Sequence, residues 1–191
     1  PWGNNVDDGD AFNAYAVAAF TKTFSPTTTA TFGSFGTADK YRAIISAPNG
    51  YLYAIPGAAS YVRKIDPVGQ TSSELTSTNL GATSDKWNGA CLADNGCIYG
   101  APDTASTIVK IDTSNDTVTT FGSVGTGIWK WRGIVRAWNG KLYCIPATAS
   151  EVLVIDPSDD SISTFGSLGT ASEKWLYGAV STINGCIYGA P

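Results

Sequence analysis

The feature that most constrains this chain is an internal repeat. Asn-Gly pairs begin at residues 49, 95, 139 and 184, at intervals of 46, 44 and 45 residues. A Tyr and then a Pro follow each pair at fixed distances, and a Lys followed by an aromatic residue precedes each pair. Several markers that keep one order at near-equal spacing indicate a repeat architecture, in which each unit buries its faces against its neighbours.

The unit from Trp131 to Lys174 contains four predicted short strands, at residues 133–138, 141–145, 151–155 and 161–165. Asn139-Gly140 is a strong hairpin signal because both turn residues would need positive φ, which Asn and Gly tolerate. Asp156-Pro157 predicts a second turn, since Asp can bond the backbone two residues on and Pro presets φ. The third strand is continuously apolar, which is typical of a strand covered on both faces.

These units predict an all-β chain built of β-propeller blades, each a four-stranded sheet of about 45 residues. The complete blades are expected at residues 41–85, 86–129 and 130–174. Residues 16–33 can supply strands three and four of a further blade, and residues 175–191 can supply strands one and two.

Two arrangements of the ends fit this pattern. In the first, residues 16–33 and 175–191 share one blade and close a ring of four, which removes exposed sheet edges, and residues 1–15 are an extension. In the second, residues 1–15 are a decayed half-blade, and the chain is a segment of a larger propeller. The chain contains no Met, whereas an unprocessed chain would keep its initiating Met, and this slightly favours the segment.

Two stretches resemble a known repeat family. The sequence Ser-Glu-Val-Leu-Val-Ile-Asp-Pro-Ser-Asp-Asp-Ser-Ile-Ser-Thr-Phe-Gly at residues 150–166 resembles the third-to-fourth strand stretch of YVTN-type β-propeller repeats, and residues 106–118 do so too. The Asn-Gly-x-Ile/Leu-Tyr stretch is closer to kelch and tachylectin strands, although the double Gly of kelch repeats and the Trp-Asp of WD repeats are absent. The resemblance implies a propeller and leaves the ligand open.

Composition disfavours several classes of function. The net charge is −4 and the twelve Lys and Arg are scattered, so nucleic acid is a poor partner. No apolar run reaches the length of a bilayer span, so we expect no membrane insertion. The chain has no His, which excludes Ser-His-Asp and Cys-His catalysis and His-ligated metals. We therefore expect no cofactor, no metal and no enzymatic activity.

The Lys-aromatic pairs are the candidate ligand-binding residues: Lys86, Trp87, Lys130, Trp131, Lys174 and Trp175. On this hypothesis the lysines ring one mouth of the propeller channel and the aromatic rings are stacking platforms for sugars. The alternative is that the aromatic rings pack between blades while each lysine extends to water. Trp129 and Trp138 are extra aromatics of one unit, and Trp138 beside its turn is expected to be exposed.

The cysteines and one sequon suggest an oxidising compartment. Cys91, Cys97, Cys144 and Cys186 form no C-x-x-C pair, so they are either two disulfides or four buried thiols, with the connectivity open. Asn115 begins an Asn-Asp-Thr glycosylation sequon in a predicted turn. The predicted location is extracellular or luminal, as a glycoprotein.

The function that these patterns favour is a non-catalytic binding or structural scaffold that presents the loops of one propeller face. Its partner would be a protein or a glycan, alone or within a larger assembly. A lectin with one site per blade is an alternative, and a glycosidase with paired carboxylates is a weaker one. Most Asp residues lie in predicted turns, where turn formation explains them better than catalysis does.

Overall fold

The computed structural model describes residues 31–32 and 40–191. Over that part the chain forms strands only, and no helix there could cross a membrane. The predicted extension at residues 1–15 and nearly all of the predicted strands at residues 16–33 lie outside the described residues. The strands are β1 Tyr41–Ser46, β2 Leu52–Pro56, β3 Val62–Asp66, β4 Thr71–Leu75, β5 Trp87–Leu92, β6 Cys97–Pro102, β7 Ile108–Asp112, β8 Thr117–Phe121, β9 Trp131–Arg136, β10 Leu142–Pro146, β11 Val152–Asp156, β12 Ser161–Phe165, β13 Tyr177–Val180 and β14 Ile187–Ala190.

These strands form successive antiparallel sheets. Strands β1–β4, β5–β8 and β9–β12 each make a four-stranded sheet in chain order, and β13 and β14 make a two-stranded one. The first strands pack on each other in a row, β1 on β5, β5 on β9 and β9 on β13. The prediction of an all-β chain of four-stranded sheets is therefore confirmed. Among the described strands no pairing joins the last sheet to the first, so they form a segment rather than a closed ring.

The first strand of the third sheet is displaced from its predicted place. It runs Trp131–Arg136 instead of residues 133–138. Trp131 pairs with Pro146 across a register shift, which extends the strand toward its beginning. The strand ends early because the turn already starts at Ala137, whose N–H donates a 3.0 Å hydrogen bond to the carbonyl of Lys141.

The Asn-Gly hairpin has a different geometry from the one predicted. Gly140 takes a φ of 78°, but Asn139 is not among the residues with positive φ. The N–H of Gly140 donates to the carbonyl of Ala137 at 3.0 Å, which is a type I turn followed by a left-handed glycine. Asn139 contributes its side chain instead, since Oδ1 accepts the N–H of Lys141 at 3.1 Å.

The hydrophobic core lies between neighbouring sheets. One cluster joins the first and second sheets and another joins the second and third. The largest fully buried side chains are Tyr53, Tyr99, Ile55, Ile98, Ile108, Ile111, Leu142, Leu153 and Ile155. Full burial of an aliphatic side chain contributes about 1.5–3 kcal/mol, so the stacking of sheets is the main source of stability.

The Asp residues that end the third strand of each sheet shape the turn that leads to the fourth strand. Oδ1 of Asp112 accepts the N–H of Ser114 at 2.9 Å, and Oδ1 of Asp156 accepts the N–H of Ser158 at 3.0 Å. Asp66 makes the same contact to Val68 at 2.9 Å. These side chains have the turn-making role predicted for them.

Candidate functional site

One face of the sheets carries the connections between second and third strands together with the segments that enter the first strands. We call it the loop face, and it comprises residues 57–61, 83–86, 103–107, 127–130, 147–151 and 171–174. Its backbone links successive sheets. The N–H of Lys86 donates to the carbonyl of Gly57 at 3.2 Å, and the carbonyl of Lys86 accepts from Asp103 at 3.0 Å. The carbonyl of Asp103 in turn accepts from Lys130 at 3.1 Å, so the chain of bonds continues into the third sheet.

The lysines of the loop face are bonded to carbonyl groups. Nζ of Lys86 donates to the carbonyls of Gly57, Ala59 and Thr83 at 2.9, 3.0 and 3.0 Å. An ammonium has three donors, so all of them are used. Equivalent sets hold the other two lysines: Lys130 bonds Asp103, Ala105 and Gly127, and Lys174 bonds Ala147, Ala149 and Ala171.

The burial of these lysines shows whether their ammonium groups extend to water. Lys86 is 5% exposed and Lys130 is 6% exposed, so the expectation that they extend to water is wrong. Burial lowers the pKa of Lys86 to about 8, and it lowers the pKa of Lys130 and of Lys174. The three carbonyl oxygens around each Nζ favour the charged form and leave it no N–H for a ligand.

The aromatic partners of these lysines also belong to the junctions. The rings of Trp87 and Trp131 are buried, and their Nε1–H groups donate to the carbonyls of Thr107 at 2.8 Å and Glu151 at 2.9 Å. Trp175 is half-buried and lines a cavity beside the last strands. The structure therefore places one predicted pair at each successive sheet junction, and binding of a ligand by these pairs stays a prediction.

A set of neighbouring side chains at the junction of the second and third sheets departs from the repeat. We call Asn88, Asp103, Trp129, Arg132 and Glu173 the polar cluster. Nδ2 of Asn88 donates to Oδ2 of Asp103 at 3.2 Å, and Nε of Arg132 lies 3.5 Å from the same oxygen. Nη1 of Arg132 donates to Oε1 of Glu173 at 3.3 Å. The guanidinium of Arg132 lies over the ring of Trp129, 5.1 Å from its centroid.

Asp103 is the unusual member of the polar cluster. Its side chain is fully buried, and among the described residues Oδ1 has no hydrogen-bond partner. Burial raises the pKa of Asp103, although Asn88 and Arg132 act to lower it. A buried acceptor without a partner costs free energy, so this oxygen favours any group that can donate a hydrogen bond to it.

The local backbone explains how the polar cluster is presented. Trp129 and Glu173 directly precede the lysines of their units and take positive φ values of 56° and 54°. Trp129 is 37% exposed.

Asp103 follows the Pro that ends β6, where the equivalent residues of the other units are Gly57 and Ala147. An Asp in place of Gly or Ala at this position is the sequence signal for the polar cluster, and it is not one of the repeated markers.

The cysteines are free thiols in this structure, and their pairing stays a prediction. Cys144 is fully buried and Cys186 is exposed. Burial raises the pKa of Cys91, Cys97 and Cys144, which keeps these thiols protonated and poorly reactive.

The glycosylation sequon lies at the opposite end of the strands. Asn115 is exposed in the turn between β7 and β8, where Nδ2 donates to Oδ2 of Asp112 at 3.0 Å, and its glycosylation also stays a prediction. Trp138, beside its hairpin turn, is 66% exposed. Within residues 31–32 and 40–191 no group of His, Cys, Asp and Glu side chains is placed to hold a metal ion.

Comparison with known proteins decides the family. A family model described as "Repeat of unknown function (DUF6923)" matches residues 14–190. The chain belongs to this family. Its members are defined by a repeat, in agreement with the successive four-stranded sheets described above. A comparison with curated proteins found no match.

Solved structures show the same kind of fold. A streptogramin B lyase is 13% identical with a TM-score of 0.60 over 78% of this chain and 47% of its own. Virginiamycin B lyase from Staphylococcus aureus, in a catalytically inactive form with quinupristin, is 14% identical with a TM-score of 0.61 over 83% of this chain and 58% of its own. The extracellular domain of a one component system from B. thetaiotaomicron is 12% identical, with a TM-score of 0.60 over 76% of this chain and 18% of its own. At these identities the similarity shows a β-propeller-like fold alone, and this chain spans less than two thirds of each structure.

Proposed function

We propose that this chain is a non-catalytic propeller scaffold that binds a partner on its loop face through the polar cluster. The observation that carries the proposal is the partly exposed ring of Trp129, over which the guanidinium of Arg132 lies. Trp and Arg are among the residue types that most often dominate the binding energy at protein interfaces. The repeated lysines are occupied by carbonyl groups, so recognition falls to this non-repeating group.

The partner is proposed to be a protein, and the compartment extracellular. One structural neighbour is an extracellular domain and another is described as an auxiliary nutrient binding protein from Bacteroides thetaiotaomicron, with a TM-score of 0.52. The blades are proposed to be of the YVTN type, on the strength of the stretch at residues 150–166. Fold similarity of this kind supports a binding scaffold without naming its ligand.

An enzymatic role is less well supported. The structural neighbours include lyases, and one of them is described as catalytically inactive when a histidine is replaced by alanine. These 191 residues contain no histidine, so they cannot supply such a group. The carboxylates in the turns between third and fourth strands either shape those turns or accept hydrogen bonds from the neighbouring sheet. A glycosidase needs two carboxylates on either side of one sugar, and these are not free for that role.

A lectin remains the second candidate because of one observation. Trp129 offers a partly exposed ring, and Arg132 and Glu173 beside it offer a donor and an acceptor for hydroxyl groups. This is a single aromatic site at one junction, which differs from the one site per blade that the repeat suggested. A glycan array would show a hit that Trp129→Ala removes if the lectin proposal is right.

The scaffold proposal is tested by quantitative affinity capture. The full chain and its Trp129→Ala variant are immobilised and exposed to extracellular proteins of the source, and retained proteins are quantified by mass spectrometry. A protein retained at least about tenfold less by Trp129→Ala is expected, since a hot-spot truncation costs about 2 kcal/mol. Trp138→Ala is the matched control, because Trp138 is an exposed Trp beside a hairpin turn away from the loop face. Equal retention by the chain and both variants would exclude the loop face as the binding surface.

A further inference from the structure

Each of the two complete sheet junctions carries a cleft beside the loop face. The first cleft, at the junction of the first and second sheets, has a volume of about 390 Å³, and the second cleft, at the junction of the second and third sheets, has a volume of about 550 Å³. Equivalent residues of the repeat line both clefts: Trp87, Ser106 and Thr120 in the first, and Trp131, Ser150 and Thr164 in the second. Volumes of this size are typical of sites for small ligands, and here the repeat itself builds them.

The second cleft has an apolar side and a polar side. Val124 and Ile162 supply aliphatic side chains to it. Ser150 and Thr164 supply hydroxyl groups, and Glu151 supplies a carboxylate. No group in the described part of the chain forms a hydrogen bond with these two hydroxyls or with that carboxylate. The polar side is therefore available to a ligand that both donates and accepts hydrogen bonds.

The walls of the second cleft are fixed by the contacts of the junction. Nε1 of Trp131 donates to the backbone carbonyl of Glu151 at 2.9 Å, so the backbone that carries the carboxylate is held in place. The segment that connects the second sheet to the third forms another wall, where the N–H of Val124 donates to the carbonyl of Ser106 at 3.0 Å. Walls that are ordered before binding lose little conformational entropy when a ligand arrives.

The charges of the second cleft favour a neutral ligand. Lys130 lines the cleft and brings a positive charge, but its three N–H groups are bonded to carbonyls and offer a ligand no donor. The half-buried Glu151 brings a negative charge. A cation would meet the charge of Lys130 and an anion would meet that of Glu151. A neutral hydroxyl group avoids both repulsions, because it donates to the carboxylate and accepts from Ser or Thr.

We propose that the second cleft binds a neutral sugar residue. A sugar ring has apolar C–H faces and hydroxyl groups at its edge, which matches the two sides of the cleft. One face packs on Val124 and Ile162, and ring hydroxyls donate to the carboxylate of Glu151. This site goes beyond the protein partner proposed for the polar cluster and does not depend on it. It also differs from the lectin site considered at Trp129, which does not line the cleft.

The first cleft shows which residue decides the affinity. Ser106 and Thr120 place hydroxyl groups there as Ser150 and Thr164 do in the second cleft, but Thr107 stands in the position of Glu151. Hydrogen bonds to a charged acceptor are about twice as strong as those between neutral groups. The second cleft is therefore the stronger of the two sites, and its carboxylate accounts for the difference.

The probes are the methyl glycosides of glucose, galactose, mannose and xylose, each titrated into the isotope-labelled full chain and followed by NMR. At least one of them is expected to shift the amide signals of residues 123–124, 150–151 and 162–164. Glu151→Thr gives the second cleft the residue of the first and should weaken binding at least about tenfold, because hydrogen bonds to a charged acceptor are lost. Glu74→Thr is the matched control, since Glu74 is an exposed acid of β4 that lines neither cleft. Thr107→Glu should strengthen binding at the first cleft.

Three results would overturn the proposal. The first is that none of the glycosides shifts the cleft signals. The second is binding that Glu151→Thr and Glu74→Thr leave equally unchanged. The third is binding that Trp129→Ala removes and Glu151→Thr retains, which would place the sugar at Trp129 instead. The titration measures sugar binding alone, so its result stands whether or not Trp129→Ala changes the capture of a protein partner.

Discussion

The hydroxyl of Tyr99 in the second sheet donates a 2.8 Å hydrogen bond to Asp160 in the third. The other oxygen of Asp160 accepts from Lys110 at 2.6 Å, and Nδ2 of Asn95 donates to the hydroxyl of Tyr99 at 3.0 Å. The Asn of the hairpin, the Tyr of the second strand and the Asp of the following unit are thus parts of one contact. This contact explains why the Asn and Tyr keep a fixed spacing in the repeat.

Replacing Tyr99 by Phe should destabilise the protein by about 1.5–3 kcal/mol, because it removes a hydrogen bond from a buried hydroxyl to a charged carboxylate. Urea unfolding measures the change as a lower midpoint at an unchanged slope. The matched control is Tyr143→Phe, which removes a hydroxyl that bonds Asn139 but no described carboxylate. Its cost should be smaller, and equal costs for the two variants would contradict the assignment of this contact.

Replacing Lys130 by Met should cost at least about 2 kcal/mol, since it keeps the apolar stem and leaves buried carbonyl groups without a donor. Lys174 bonds an equivalent set of carbonyls but is less buried, so water can replace its ammonium in Lys174→Met. Chemical unfolding of the two variants should show the larger loss at Lys130. A loss at Lys174 as large as that at Lys130 would show that burial is not the deciding factor.

The stability that depends on Lys86 should vary with pH. Burial lowers the pKa of Lys86 to about 8 from an ordinary value of 10.5, so the unfolded chain binds more protons between these values. The free energy of unfolding then rises with pH across that window. Subtracting the values for Lys86→Met removes the contribution of other groups, and the difference between the two proteins should increase from pH 8 to pH 10. A flat difference would show that the carbonyl groups hold the pKa near its ordinary value, and a falling difference would show that they raise it.

Adding a methyl group at Gly89 should force the second and third sheets apart. A Cβ at this position would lie 2.6 Å from the carbonyl oxygen of Arg132, which is backbone and cannot move away. Such overpacking costs about 1–3 kcal/mol. Gly127→Ala is the matched control, because its Cβ would lie 3.5 Å from the side chain of Lys130, an ordinary contact. Thermal unfolding should show a lower Tm for Gly89→Ala than for Gly127→Ala.

The sheets could be predicted from the sequence because their signals are local. An Asn-Gly pair marks its own hairpin, and Asp156-Pro157 marks its own turn, whatever lies beside them. The role of Lys86 could not be predicted in this way, since two of its acceptors, Gly57 and Ala59, lie 29 and 27 residues earlier. Its partners are set by how sheets stack, and a pattern within one unit carries no information on that.

The polar cluster was missed for a related reason. Asp103 occupies a position where the other units have Gly57 and Ala147, so it is invisible to a search for what the units share. Its partners Asn88 and Arg132 come from two different sheets. Comparing units for their exceptions would have singled out Asp103, but only stacked sheets show that its carboxylate is buried.

The lysine contacts of the loop face also bear on how such proteins change in length over evolution. Each lysine is bonded to its own segment and to the loop of the preceding sheet, at Gly57 and Ala59 for Lys86 and at Ala147 and Ala149 for Lys174. Duplicating or deleting one whole unit would therefore recreate the same set of bonds at the new boundary. Genes encoding this repeat can gain or lose copies without first evolving a new contact between them.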